Sequence, residues 1–100
     1  MSVYLIIKSE TSLVNKQDFD NWYRNEHLKE AKKDFEAISA KRGWVTNTDY
    51  HLAIYEFENM NMAKKILKSK KLKLLIKKFD NKWNNKVNRT RELVDINQEI

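Results

Sequence analysis

The sequence predicts an α+β fold with the order β-α-β-β-α-β, a four-stranded antiparallel sheet and both helices on one face. Two strand signals carry this: residues 3–8 (VYLIIK) and 50–58 (YHLAIYEFE) are apolar runs rich in β-branched and aromatic residues. Two helical stripes complete it. Phe19, Tyr23, His27, Ala31 and Phe35 recur at i, i+4 with Trp22 beside them, and Leu72, Leu75, Ile76, Phe79 and Trp83 follow i, i+3, i+4, i+7.

The elements follow in order. Residues 3–8 form a buried strand, and residues 9–17 are polar and turn-like. Asn15 is placed to cap the first helix, with Asp18 near its positive end, and that helix runs to about Phe35. Residues 38–46 (ISAKRGWVT) are read as the second strand, with Gly43, the single glycine, marking a bulge or a close approach. Residues 47–49 (NTD) are a compact turn. The third strand shows Tyr50, Leu52, Ile54 and Glu56 on one face and His51, Ala53, Tyr55 and Phe57 on the other, so both faces call for cover. Asn59 or Asn61 caps the next helix, whose buried edge is Met62, Ile66 and Leu67. Ser69 and Lys70 interrupt it, and the stripe continues to about Lys82. Residues 86–96 (KVNRTRELVDI) alternate as the last strand, and residues 97–100 fray.

One hundred residues make one domain, 1–100, long enough to bury a core. An apolar fraction of 41% argues against disorder. No apolar run is long enough for a membrane span, and the first residues lack the pattern of a signal peptide. Cysteine is absent, which excludes disulfides, thiolate metal sites and cysteine nucleophiles, and a reducing cytoplasm is the expected compartment. The net charge of +6 sits wholly in residues 51–100; residues 64–86 alone hold ten lysines against Asp80. Such a face attracts polyanions, but lysine also solvates a helix cheaply, and no specific nucleic-acid binding is expected.

Two right-handed β-α-β halves leave one sheet face bare. Val3, Leu5 and Ile7 with Leu52 and Ile54, or their alternates, would line it. A homodimer with the sheets face to face is the simplest cover.

The W-Y-R-x-x-H segment at residues 22–27, the strand YHLAIYEFE and the closing NRTREL resemble the ferredoxin-like, dimeric α/β-barrel superfamily. Similar groups are the ether-degradation accessory family, stress-responsive barrel proteins, small antibiotic-biosynthesis monooxygenases and muconolactone-type isomerases. Tyr23, Arg24 and His27 match the ether-degradation family's W-R-x-x-H spacing, with tyrosine in place of tryptophan. The resemblance implies two protomers sharing a barrel, and a cleft between sheet and helices in each, where small apolar or aromatic molecules bind.

His27 is the oddest local choice, an imidazole where the stripe expects leucine. A core histidine bonded to one neighbour is one reading and a ligand or catalytic group is the other. No phosphate loop, nucleotide fingerprint or nucleophile elbow is present. His27 and His51 with a carboxylate could make a two-His, one-carboxylate set, but nothing in the spacing favours it, so neither metal nor cofactor is expected. The expected function is binding of a small, mostly apolar molecule with an acidic or carbonyl head, lined by Phe19, Trp22, Tyr23, His27, Tyr55 and Phe79. A cofactor-independent monooxygenase or isomerase using His27 as general acid or base is the alternative. A nucleic-acid module of the same strand order ranks third: residues 41–45 (KRGWV) begin like an RNA-recognition string but do not continue as one.

Overall fold

The computed structural model describes residues 2–100. Its strands are β1 (Val3–Glu10), β2 (Ser39–Trp44), β3 (Tyr50–Phe57) and β4 (Asn88–Asp95). They form one antiparallel sheet in the order β2-β3-β1-β4. The two central strands are the two apolar runs, and the polar β2 and β4 take the edges, where polar side chains discourage further pairing. β2 and β4 are each three residues shorter than the expected 38–46 and 86–96. Among the described residues no helix is long and apolar enough to cross a membrane.

The first helical segment is continuous but not uniform. α1 (Lys16–Trp22) passes into a π-helical turn (Tyr23–His27) and then α2 (Leu28–Phe35). Asn15 caps α1, its side chain accepting from the Asp18 amide. In the π turn the Leu28 amide donates to the Tyr23 carbonyl, five residues back. The reason lies in the strict four-residue spacing of the stripe. At 100° per residue a four-residue step overshoots a full turn by about 40°, so Phe19 to Phe35 would wind off the core face. One widened turn takes up part of that drift. All five stripe residues are accordingly buried.

After β3, α3 (Met60–Leu67) is capped by Asn59, and Ser69 caps α4 (Lys70–Lys82), so the break expected near Ser69 is present. Left-handed backbone at Asn47, Asn84 and Asn85 closes the connections with the residue type that tolerates it best, while Glu36 takes the same conformation after α2. Gly43 contradicts its expected role. β2 pairs with β3 without interruption from Ser39 to Trp44, and a Cβ at Gly43 would meet no atom within 4 Å.

All helices pack on one face of the sheet. Val3, Leu5 and Ile7 point inward with Ala53, Tyr55 and Phe57. The outward set is therefore Tyr4 and Ile6 with Leu52, Ile54 and Val94, all half-buried in the single chain. Val3, Leu5 and Ile7 belong to the core and not to the bare face. In a single chain β3 is thus covered on one side.

Candidate functional site

The register across the inner sheet face brings four residues into each row. One row runs Trp44, His51, Ser9, Arg89, and the next runs Arg42, Ala53, Ile7, Arg91. Polar and charged groups thus lie directly beneath the helices. Ser9 and His51 are fully buried, and neither Ser9 Oγ nor either ring nitrogen of His51 has a hydrogen-bond partner. His51 stands among Phe19, Tyr23 and Trp44, with ring centroids 5.2, 4.4 and 5.0 Å away.

Above this face the π turn orients the other histidine. The Trp22 and His27 rings stack, with centroids 4.4 Å apart and planes 14° from parallel. Residues five apart sit about 140° around an ordinary α-helix, and the wider turn brings them into register. Tyr23 and Phe79 pack edge-on to His27 at 4.9 and 5.6 Å. His27 Nδ1 has no hydrogen-bond partner. Burial, reinforced by Arg89 and Lys78 and only partly opposed by Glu30, pulls its pKa down to about 4. His51 falls to about 4 for the same first reason, with Arg42 adding to it. Both imidazoles are neutral at pH 7.

His27, Tyr23 and Tyr55 face a cavity of about 20 Å³ between β1, β3 and β4 and the helices α2 and α4. Its walls include Ile7, Ala31, Phe35, Leu72, Leu75 and Phe79. The volume holds about one water molecule. Burial raises Tyr23 to about 12 and Tyr55 well above the ordinary phenol value. Their hydroxyls are near enough to influence each other's ionisation, yet Tyr55 makes no hydrogen bond of good geometry. The Tyr55 phenol is a donor waiting for an acceptor.

Arg89 and Arg91 close the cavity on the β4 side. Arg89 bonds Asp80 Oδ1 at 2.7 Å and lies over the Phe79 ring at 3.8 Å, with its side chain only 11% exposed. Burial first, and Arg91 second among the lowering causes, depress its pKa. At the β2 edge of the sheet, Asp20 accepts from Arg42 at 2.7 Å, Trp44 at 3.0 Å and Arg24 at 3.2 Å. Its hydrogen bond to Arg42, with those to Trp44 and Arg24, holds its carboxyl near 2. This ties α1 to β2 and fixes the start of the π turn.

Of the six expected lining residues, Tyr23, His27, Tyr55 and Phe79 meet at the cavity. Phe19 lies outside it as the hub of an aromatic cluster with Tyr23, Trp44, Phe79 and Trp83, and Trp22 acts through its stack on His27. The arginines were missed. Their signal was the alternation that puts Val87, Arg89, Arg91 and Leu93 on one face of the last strand.

A four-stranded antiparallel sheet with a polar-floored cleft beneath its helices defines a ferredoxin-like α+β protein. The solved structures it is similar to agree. An EthD (ethyl tert-butyl ether) family protein from Bacillus halodurans C-125 is 20% identical with a TM-score of 0.73, over 96% of this chain and 99% of that one. SnoaB, a cofactor-independent oxygenase from Streptomyces nogalater, is 8% identical with a TM-score of 0.72, over 99% and 96%. An antibiotic biosynthesis monooxygenase is 10% identical with a TM-score of 0.66, over 96% and 99%. The chain shares the ferredoxin-like fold of these structures. No family model matches the sequence, and neither does any curated protein.

His27 separates its two readings in one variant. A structural histidine leaves a stranded partner when replaced, costing about 1–3 kcal/mol. Here Nδ1 has no partner to strand. His27→Leu should therefore hold or raise the free energy of unfolding by urea while weakening ligand binding. A variant that is destabilised yet binds unchanged would make His27 a packing residue.

Proposed function

We propose that this chain binds a small, mostly apolar molecule in the cleft between its sheet and helices, as one protomer of a homodimer joined through the outer sheet face. The observation that carries the reading is the set of buried polar groups without partners at a cavity walled mostly by apolar residues: His27 Nδ1 and the Tyr55 hydroxyl. Leaving such groups unpaired costs about 1–3 kcal/mol each, which polar atoms carried on a ligand's otherwise apolar body would recover. Apolar walls with a few convergent polar groups are the usual make-up of a small-molecule site. The cavity as it stands holds about 20 Å³, so on this reading a ligand enters by displacing side chains at the β4 edge.

Turnover is the weaker reading. SnoaB's description as a cofactor-independent oxygenase raises it, and His27 would be the base. An imidazole with a pKa near 4 is a poor base at neutral pH, since efficiency peaks when the pKa lies near the working pH. Donating to or accepting from a ligand needs no such match.

Ile76 lines both the cavity and the open depression beside it, so a larger side chain there blocks the way in. The neutral fluorophore N-phenyl-1-naphthylamine should gain emission with the wild-type protein, and Ile76→Trp should weaken that binding at least tenfold. Equal binding by both would place the probe elsewhere and remove the cleft reading.

A further inference from the structure

The inner cavity does not end at β4. A second, open hollow of about 380 Å³ lies outside it, lined by Asp80, Asn85, Val87 and Asn88. Ile76, Arg89 and Arg91 line both hollows and form the wall between them. The two guanidinium groups project from alternate residues of one strand face, opposite Ser9 and Ile7, so their stems start about 7 Å apart. Against these two cations the wall offers one carboxylate, Asp80, and it engages one Arg89 nitrogen. Arg91 forms no ion pair among the described residues. The nearby carboxylate Glu30 is taken by Lys78 at 2.8 Å. Arg89 is thus a nearly buried fork with most of its donors unused and facing open space, beside a second unpaired fork.

We propose that Arg89 and Arg91 are the head-group site of this cleft and that its ligand is an organic carboxylate on a flat apolar body. The inference rests on the small-molecule reading above and names the class of molecule. Charge supplies the argument: two guanidinium groups meeting one carboxylate leave one positive charge unbalanced at the wall. A planar carboxylate fits a guanidinium fork with two parallel hydrogen bonds, which a neutral carbonyl cannot match. The same wall gives the apolar body its path. With the carboxylate on Arg91 and sharing Arg89 with Asp80, the Arg89 side chain leaves its place over Phe79, and the body slides between Phe79 and Ile76 toward Tyr23 and His27. The Arg89–Asp80 pair keeps the cavity closed when no acid is present.

The test compares 1-naphthoate with 1-naphthamide, a neutral probe of the same shape that keeps the carbonyl. Calorimetry at physiological salt, where remote surface charges are largely screened, should give wild-type protein at least tenfold tighter binding of the naphthoate. Arg91→Met should bring the two affinities within about twofold by weakening the naphthoate alone. Arg89→Met should do the same. It also strands Asp80, so the exposed Arg91 position keeps the test valid if that variant fails to fold. Lys64→Met removes a positive charge from α3, which lines neither hollow, and should leave the preference intact. Equal wild-type affinity for both probes, or an equal loss in Lys64→Met and Arg91→Met, would overturn the acid site and leave the cleft reading standing. Failure of both probes at millimolar concentration would overturn the cleft reading, and this inference with it.

Discussion

Lowering the pH from 7 to 4 should cost the fold about 3 kcal/mol for each of its two buried histidines. The sign follows from linkage. His27 and His51 titrate near 4 when folded against an ordinary 6.5, so between those values the unfolded chain binds more protons. The stability they contribute is complete above pH 6.5 and is lost as the pH falls toward 4. A shift of about two and a half units corresponds to about 3 kcal/mol per group. Of the carboxylates held low, Glu10 and Glu56 lose their contribution only below their ordinary 4.5, and Asp20 further down, between its ordinary 3.8 and about 2. Urea unfolding at pH 7 and pH 4.5 should show most of the histidine loss. His27→Leu and His51→Phe should each flatten the profile by roughly half, the second by completing the cage of Phe19, Tyr23 and Trp44. A fold equally stable at both pH values would mean that the two imidazoles are hydrated or paired in solution.

Ile54→Lys should turn a dimer into monomers. Ile54 lies in the middle of the outer sheet face, directly opposite Ile6 on β1 and Lys41 on β2. Tyr4, Ile6, Leu52 and Val94 extend the same apolar surface. If two such faces meet, a lysine at position 54 buries a charge with Lys41 as its neighbour, at a cost of several kcal/mol. Sedimentation at micromolar concentration should give twice the 12.1 kDa chain mass for wild type and the chain mass itself for Ile54→Lys. Because the side chain points away from the core, the monomer should keep its helical circular dichroism. A wild-type monomer would remove the shared barrel from the account.

The fold was legible because its two central strands are the most apolar runs and its helices carry clear stripes. Asn15 was legible as a cap and Asn59 as one of two candidates, whereas Ser69 was read only as a break; all three accept from an amide three residues on. What the sequence could not settle was which way alternating strands face. Both faces of β1 and β3 are apolar, so polarity could not choose between Val3, Leu5, Ile7 and Tyr4, Ile6. The helix layer chose. The same ambiguity concealed the inward turn of His51 and the arrival of Arg89 and Arg91 at the cavity, since β4 mixes charged and apolar residues on both faces. The π turn left a trace in the strict four-residue ladder and in Trp22 and His27 five residues apart. Gly43 misled because a lone glycine in a strand was read as a device, whereas it occupies an ordinary paired position opposite Leu52.

The central claim is that the helix–sheet cleft is the binding site. A two-dimensional NMR titration of isotopically labelled protein with N-phenyl-1-naphthylamine tests it directly. The account predicts saturable shifts at Tyr23, His27, Ala31, Tyr55, Ile76 and Phe79, with the outer face unmoved. Shifts confined to Tyr4, Ile6, Leu52 and Ile54 would contradict it, because the bare sheet and not the cleft would then be where apolar molecules bind.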